Sequence, residues 1–199
     1  MYFLFFLALA YVLGSIPFGV VLTRWRARMD ITKVGSGNIG ATNVMRQAGP
    51  ALGIATLACD MAKGALPVLG MMLVLGEESF LAQTGIALVA LAAFLGHLFP
   101  LYSLFKQGGK GVATAAGCFL ILSPLALAGA LLAFATAVGI SRRASVGSLT
   151  AAASLAPLVY WRTHSVAYTA AAFAVAVLVW FKHEANIKRL LAGEEPRIF

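Results

Sequence analysis

The chain has 199 residues, of which 61% are hydrophobic, and its mean hydropathy is +0.90. This apolar share excludes a water-soluble globular protein, because too few polar residues remain to cover its surface. The formal net charge of +8 is compatible with nucleic-acid binding, but in a membrane chain basic residues more often mark the cytoplasmic face.

Seven apolar runs are candidates for membrane-spanning helices, each of which needs about 20 residues. They are residues 1–23, 50–75, 80–101, 111–122, 124–140, 147–161 and 165–181. Run 111–122 reaches only about 18 Å as a helix, and we expect it to form a hairpin with 124–140 across Ser123-Pro124. If these two runs were one bent helix, the chain would cross six times and everything after them would be inverted.

The distribution of basic residues distinguishes six crossings from seven. With seven crossings, thirteen of the fifteen basic residues fall on one face, namely Arg24, Arg26, Arg28, Lys33, Arg46, Lys106, Lys110, Arg142, Arg143, Lys182, Lys188, Arg189 and Arg197. Positive charge collects on the cytoplasmic side of membrane proteins. The sequence therefore predicts an all-α integral membrane protein with one domain, residues 1–199. We expect seven transmembrane helices, some short or broken, with the N-terminus outside and the C-terminus cytoplasmic.

The first predicted cytoplasmic loop is rich in glycine, hydroxyl and amide groups. Residues 35–40 spell G-x-G-x-x-G, but a membrane helix precedes them where the dinucleotide-binding motif requires a strand. The loop continues to Arg46, whose guanidinium can hold a phosphate through two hydrogen bonds. We interpret this stretch as an anion site, although an ordinary positive-inside loop is the alternative.

Three titratable side chains lie inside or at the end of apolar runs. Asp60 and Lys63 are one helical turn apart in the second run, and we expect them to form a neutralising pair that faces the interior, because an unpaired charge there is costly. A pair that braces the first loop is favoured over a proton or ion relay. We interpret His97, at the end of the third run, as a helix-end hydrogen-bonding residue rather than a catalyst.

A second glycine-rich stretch, residues 105–114, precedes the fourth run. Its glycines let backbone N–H groups converge on a ligand, and the following helix adds the positive end of its dipole. Lys110 supplies a mobile cation. A nucleotide P-loop is excluded, because Leu104 and Gly111 stand where that motif needs glycine and Ser or Thr. The stretch predicts a phosphate cradle, with a tight turn and interfacial lysines as the alternative.

After the last run, the chain continues as an amphipathic segment that we expect to lie on the inner leaflet. His183 and Asn186 are three residues apart and therefore share a helical face. Gly193 predicts the end of this helix. Whether His183 and Asn186 turn inward is left open.

Three stretches together resemble the acyl-phosphate-dependent glycerol-3-phosphate acyltransferases of bacteria, the PlsY family. They are residues 36–46, 96–114 and 183–195, and they occur in the order and at the spacing of that family. Gln107 stands where many members have another glycine, which puts only the backbone role of that position in doubt. The resemblance covers essentially the whole chain.

The resemblance implies transfer of a fatty acyl group from acyl phosphate to the 1-hydroxyl of glycerol 3-phosphate. The products are lysophosphatidic acid and inorganic phosphate, in the first step of bacterial phospholipid synthesis. We expect a multi-pass protein of the bacterial inner membrane with its active site at the cytoplasmic face. The expected partners are the two substrates and membrane lipids, without nucleic acid, cofactor or metal. The oligomeric state stays open, and a monomer is compatible with the reaction.

The resemblance also implies roles for individual residues. It makes Ser36, Arg46, His183 and Asn186 the essential polar residues, associates Gly108, Gly109, Lys110 and Gly111 with acyl phosphate, and gives Glu195 a structural role. Our hypothesis is that Ser36, His183 and Asn186 are catalytic and orient the attacking hydroxyl, whose proton leaves to His183 or to an oxygen of acyl phosphate.

We extend the binding sites with further polar residues of the predicted cytoplasmic face. In this hypothesis, glycerol 3-phosphate is held by Arg46, Lys110, Ser148 and Asn43, and acyl phosphate by Gly108, Gly109, Gly111, Thr114 and Asn38. Ser148 and its neighbour Ser145 are included only because their loop shares that face.

The main alternative from another class is a transporter of small anions or phospho-metabolites, because broken glycine-rich helices also build transport sites. A transporter is expected to have repeated halves and polar residues at the membrane midplane. The sequence shows no repeat, and beyond Asp60 and Lys63 its polar groups gather on one face. A scaffold with basic loops for anionic lipids would not need three glycine- and amide-rich stretches. The sequence therefore favours the acyltransferase.

Overall fold

The computed structural model describes residues 2–104, 106 and 108–198, and most of these are helical. Phe105 and Gln107, both in the second glycine-rich stretch, lie outside the described residues. Within the described part, the α-helices are α1 Tyr2–Ser15, α2 Phe18–Ala27, α3 Ala41–Ala48, α4 Pro50–Leu75, α5 Phe80–Leu98, α6 Val112–Leu122, α7 Pro124–Ser141, α8 Ala144–Thr163, α9 Val166–Lys182 and α10 Glu184–Leu191. The all-α prediction is confirmed.

Each predicted apolar run coincides with helical structure, but the first is divided. Pro17 has no N–H for a helical hydrogen bond, and α1 and α2 meet beside it at an angle of 41°. Three helical segments are long and apolar enough to cross a membrane on their own, namely Pro50–Leu75, Phe80–Ser103 and Pro124–Ser141. Counting α1 with α2 and α9 with α10 as single bent spans raises the number in the described residues to five. Seven crossings stay a prediction.

The chain divides into two compact units, Met1–Ile121 and Leu122–Phe199. In the first unit, α1 and α4 both pack against α5. Five of the twelve buried residues of α5 are alanine and two are glycine, and Val89 and Phe94 are fully buried among them. Small side chains let helix backbones approach closely, which is how helices associate in lipid. This packing fixes the end of α5 from which the second glycine-rich stretch departs.

A small apolar cluster holds the first glycine-rich loop in the same unit. Ile31, Ile39 and Val44 are buried together, and residues of α2, α3 and α4 pack around them. The loop between α2 and α3 is therefore anchored by its own apolar side chains, while its polar residues are left for other contacts.

In the second unit, α8 packs against both α7 and α9. The indole Nε1 of Trp180 on α9 donates a hydrogen bond to the carbonyl of Leu149 on α8, at 3.2 Å. This contact brings the start of α8 beside the end of α9. Helix α10 follows after a bend of 58° and ends at Leu191, and Gly193 has a φ of +74°. The predicted helix stop at Gly193 is confirmed.

Candidate active site

Asn43 organises the first glycine-rich loop from its centre. Its buried Oδ1 accepts a hydrogen bond from the amide of Ser36 at 3.1 Å. Its Nδ2 donates to the carbonyls of Val34 and Asn38 at 3.2 and 2.9 Å, with a longer contact to Ile31. These partners are all main-chain groups, so the side chain satisfies a backbone that has no regular structure of its own. In this structure Asn43 shapes the loop; its contact with glycerol 3-phosphate stays a prediction.

The other polar residues of this loop divide into one that shapes it and two that are exposed. Asn38 Oδ1 accepts a hydrogen bond from the Gly40 amide at 2.8 Å, just before α3 begins. The side chains of Ser36 and Arg46 are exposed. A hydroxyl and a guanidinium are thus presented on a rigidly supported loop, which suits the capture of an anion.

Asp30 holds the entry to this loop. Its carboxylate accepts hydrogen bonds from the Thr32 hydroxyl at 2.6 Å and from Arg24 Nη2 at 2.9 Å. The bonds from Thr32 and Arg24 lower the pKa of Asp30 to about 2. Sequence reasoning missed this residue, although an Asp two positions before a threonine is a common turn signal.

The second glycine-rich stretch lies against the end of α5. The amide of Gly109 donates to the carbonyl of His97 at 3.1 Å, and a Cβ at Gly109 would collide with the His97 ring. Gly111 has a φ of +81°, in the left-handed region that favours glycine. Lys110 is partly buried and Thr114 is fully buried at the start of α6. The glycines of this stretch are therefore required by close packing as well as by any ligand.

Asp60 and Lys63 form the predicted ion pair. Lys63 Nζ is 2.8 Å from Asp60 Oδ1, and each side chain is 2% exposed. His97 Nδ1 lies 3.7 Å from the same carboxylate oxygen, and the His97 side chain is 3% exposed. The expectation of a neutralised pair facing the interior is confirmed. The main-chain carbonyl of His97 accepts a hydrogen bond from the Gly109 amide, and the role of the His97 side chain stays a prediction.

His183 and Asn186 of the second unit are both buried, which answers the question that the sequence left open. His183 stands at the junction of α9 and α10, with Nδ1 2.8 Å from the carbonyl of Val179. Because a carbonyl can only accept, Nδ1 carries the proton and Nε2 carries the lone pair. A neutral histidine in this tautomer can accept a proton at Nε2.

Glu195 closes the C-terminal tail onto this region. Its carboxylate accepts hydrogen bonds from Asn186 Nδ2 at 2.6 Å and Arg189 Nε at 2.8 Å, and its carbonyl accepts one from Arg143 Nε at 3.1 Å. Burial opposes ionisation, but the bonds from Asn186 and Arg189 hold the pKa of Glu195 below its usual range. The structure therefore connects the tail both to α10 and to the start of α8.

The two predicted serines lie on the first turns of α8. Ser145 is buried, and the Ser148 hydroxyl donates to the carbonyl of Ala144 at 3.0 Å. Their helix starts beside the end of α9, which carries His183. Sequence reasoning missed the structural contacts of Arg143 and Tyr11. Arg143 bonds to the carbonyl of Glu195, and the Tyr11 hydroxyl donates to the carbonyl of Phe99 at 2.7 Å. Both bond to backbone groups that are far away in the sequence, and such bonds leave no local signal.

Comparison with known proteins gives a match over the full length. The profile of the glycerol-3-phosphate acyltransferase family matches residues 4–193. A glycerol-3-phosphate acyltransferase of Syntrophotalea carbinolica is 49% identical over 94% of this chain and 93% of its own. Crystal structures of PlsY (YgiH), described as an integral membrane glycerol 3-phosphate acyltransferase, are also similar.

The glycerol 3-phosphate form of that protein has a TM-score of 0.93 and 35% sequence identity, covering 100% of this chain and 96% of its own. The lysophosphatidic acid form has a TM-score of 0.90 and 34% identity, with the same coverage. The similarity extends through both compact units and all three glycine- or amide-rich stretches.

Proposed function

The chain belongs to the glycerol-3-phosphate acyltransferase family, and on this premise we propose that it transfers a fatty acyl group from acyl phosphate to the 1-hydroxyl of glycerol 3-phosphate. The products are lysophosphatidic acid and inorganic phosphate. One observation carries the proposal: the similarity to an enzyme crystallised in substrate and product forms covers the whole chain. Because the family match runs from residue 4 to 193, we infer that both units act as one acyltransferase domain.

The first unit supplies the groups that bind phosphate. The backbone of Gly108, Gly109 and Gly111, which leads into the start of α6, holds the acyl phosphate, and Lys110 adds positive charge. The Gly109 amide itself stays bonded to the His97 carbonyl, so Gly109 contributes by letting the ligand approach the main chain closely. Packing against α5 supports this role, because it preorganises the stretch before the ligand arrives. Asn38 and Thr114 are assigned to the same substrate.

Glycerol 3-phosphate is bound through its phosphate by Arg46 and Lys110. A guanidinium binds phosphate in bidentate fashion, and Arg46 is exposed on the last turn of α3. Asn43 contributes by holding the loop that carries Ser36 and Arg46. Ser148 is assigned to the same phosphate on the weaker ground that it lies beside the end of α9.

The chemistry begins with attack of the glycerol 1-oxygen on the acyl carbonyl carbon. A carbon–oxygen bond forms, the bond from the acyl carbon to the phosphate oxygen breaks, and phosphate leaves with the electron pair. Acyl phosphate is a mixed anhydride and already activated, so positioning and charge stabilisation supply most of the catalysis. Ser36 and Asn186 orient the hydroxyl, and the tautomer of His183 supports Nε2 as the acceptor of its proton.

The enzyme resides in the bacterial inner membrane with seven transmembrane helices and its active site at the cytoplasmic face. The concentration of basic residues on one predicted face supports this orientation. A lipid-tailed substrate and a soluble one must meet, and the membrane boundary is the place where both are available. Membrane lipids are accordingly a partner, and acyl phosphate enters from them.

The proposal is tested on the purified protein in lipid with palmitoyl phosphate, by following phosphate release with and without glycerol 3-phosphate. We expect release that requires glycerol 3-phosphate and is matched mole for mole by lysophosphatidic acid. Palmitoyl-CoA serves as the competing donor and is expected to be inactive. Activity with palmitoyl-CoA but not with palmitoyl phosphate would refute acyl phosphate as the donor. Inactivity with every acyl donor would refute the proposed acyltransferase activity.

A further inference from the structure

A continuous line of buried polar groups runs through the first unit, between the two glycine-rich stretches. Its members are Lys63, Asp60 and His97, whose side chains are each no more than 3% exposed. Asp60 Oδ1 is the shared centre, 2.8 Å from Lys63 Nζ and 3.7 Å from His97 Nδ1. The second distance is too long for a hydrogen bond, so the carboxylate orients the imidazole electrostatically.

One end of this line is fastened to the break between α1 and α2. Lys63 Nζ donates to the carbonyl of Ile16 at 2.7 Å. Pro17 follows directly and interrupts the helical hydrogen bonds. The same carbonyl also accepts a hydrogen bond from the Phe18 amide at 3.1 Å, so Lys63 is its second donor and ties α4 to the break. Helix α2 starts at the break and contacts the first loop, because Gly19 lies directly against the main chain of Ile39. Lys63 thus fixes the helix on which the first loop is mounted.

The other end of the line supports the second stretch. The His97 ring lies against Gly109, and the His97 carbonyl accepts the Gly109 amide at 3.1 Å. The orientation of this ring therefore sets the position of the backbone between Gly108 and Gly111. Asp60 faces the ring as a charged group on the neighbouring helix α4.

Stability alone gives no reason for placing charges here. Replacing a buried ion pair by apolar residues of similar size is often neutral or stabilising. The two end members, Lys63 and His97, instead contact one anchor each, the Ile16 carbonyl and Gly109, and Asp60 joins them. A charged pair has one preferred geometry, whereas an apolar pair at the same place has several.

We propose that Asp60 and Lys63 are positioning residues for acyl transfer, which fix the two phosphate-binding stretches with respect to each other, Asp60 acting through His97. This inference rests on the proposed function. The pair touches no substrate and moves no proton; its effect is on how precisely the acyl phosphate is held. A displacement of about 1 Å in such a site costs on the order of a hundredfold in rate.

The test compares two double variants that differ only in what faces His97. Asp60→Leu/Lys63→Met removes both charges and the acceptor, whereas Asp60→Asn/Lys63→Met removes the charges but keeps an amide oxygen. Cys118→Ala is the matched control, because it perturbs another buried polar contact of the unit, from Sγ to the Ala90 carbonyl at 3.5 Å. The measured quantities are Tm, KM for each substrate, kcat, and the rise in Tm caused by palmitoyl phosphonate, which cannot react.

We expect both double variants to keep the wild-type Tm within a few degrees. The Leu/Met variant should lose at least tenfold in kcat/KM for palmitoyl phosphate and most of its stabilisation by the phosphonate, and the Asn/Met variant should lose clearly less. Cys118→Ala should lower Tm and leave the kinetic constants unchanged. Wild-type kinetics in the Leu/Met variant, or equal losses in both double variants, would overturn the inference.

If the double variants do not fold, the same comparison is made at His97. An asparagine at position 97 keeps an N–H group toward Asp60, whereas a leucine there does not. The His97→Asn protein should therefore bind palmitoyl phosphonate more strongly than the His97→Leu protein. Equal binding by these two would also overturn the inference. An inactive wild-type protein would instead refute the proposed function, and the two failures are therefore distinguishable.

Discussion

The asparagine side chains of the candidate site form hydrogen bonds within the protein, mostly with main-chain groups. Asn43 and Asn38 bond to main-chain groups of their own loop, and Asn186 donates to Glu195. The sequence identified these residues through their motifs, yet it could not identify their partners. A side chain that bonds to backbone leaves no pattern of residue types, so its structural role becomes visible only in the folded chain.

Glu195 is expected to stabilise the tail in a pH-dependent manner. Its folded-state pKa is lowered from an ordinary value of 4.5, so the stabilisation is fully present above that value and is lost as the pH falls through the lower folded-state pKa. Glu195→Gln should therefore lower stability at pH 7 by about 1–3 kcal/mol, because it removes a charged acceptor from Asn186 and Arg189.

The measurement is the Tm of both proteins in detergent between pH 7 and pH 3.5. The difference in Tm between the two proteins should shrink as the pH falls below 4.5, because the unfolded chain then binds a proton that the folded wild-type protein does not. Glu194→Gln is the control, since Glu194 is an exposed neighbour of the same charge. A difference in Tm that stays constant down to pH 3.5 would show that the charge of Glu195 is not responsible.

His183 should act as the proton acceptor in the reaction. His183→Gln keeps a polar side chain but offers no basic nitrogen, so kcat should fall by about 10²–10⁴-fold. The wild-type rate should also decline toward acid pH as the imidazole becomes protonated, and this decline should be absent in the residual activity of the variant.

The measurement is a pH–rate profile at saturating concentrations of both substrates. His164→Gln is the control, because His164 ends α8 at the other side of the second unit's helices from His183 and has no assigned role in the reaction. If His183→Gln retains most of the rate and the same decline at acid pH, the proton leaves to an oxygen of acyl phosphate.

At the scale of elements, helix positions were largely predictable and helix breaks were not. The apolar runs 50–75 and 124–140 correspond to α4 and α7 within one residue, because long apolar stretches determine membrane helices. The apolar run 1–23 predicts one helix, but Pro17 divides it into α1 and α2. Helices α2, α7 and α8 are followed by Arg28, Arg142 and His164, each in the left-handed conformation. These residue types do not predict that conformation.

The second glycine-rich stretch is an element whose shape depends on its contact with α5. Gly109→Ala places a methyl group against the His97 ring, and the resulting overpacking costs about 1–3 kcal/mol unless the stretch moves away. Movement would displace the backbone amides from the acyl phosphate. We expect at least a tenfold lower kcat/KM for palmitoyl phosphate, with a smaller change in KM for glycerol 3-phosphate.

Gly139→Ala is the matched control for this substitution. Gly139 lies on α7, and a Cβ there meets nothing within 4 Å. Alanine favours a helix by about 1 kcal/mol over glycine, so Tm should stay the same or rise and activity should not change. Steady-state kinetics on both variants decide the matter, and an unimpaired Gly109→Ala protein would contradict the proposed contact.

At the scale of the whole molecule, membrane topology is the least constrained property. Helix lengths support three crossings in the described residues, or five with bent spans, whereas the distribution of basic residues predicts seven. Length criteria fail for α6, which has 11 residues, and polar residues lower the hydropathy of α8. Short and polar helices can cross a membrane inside a bundle, so the two criteria predict different topologies and only labelling of the chain distinguishes them.

The deciding prediction concerns the side on which the C-terminus lies. Seven crossings place Arg197 in the cytoplasm and Glu78 outside, whereas six crossings place both outside. In a background with Cys59→Ala and Cys118→Ala, a membrane-impermeant maleimide applied to intact spheroplasts should label Glu78→Cys and spare Arg197→Cys. Both positions are exposed, so Arg197→Cys should react once the membrane is permeabilised. Labelling of Arg197→Cys in sealed spheroplasts would require α6 and α7 to cross the membrane as one bent span. Six basic positions of the chain would then lie on the outer face, against the charge rule, namely Arg142, Arg143, Lys182, Lys188, Arg189 and Arg197.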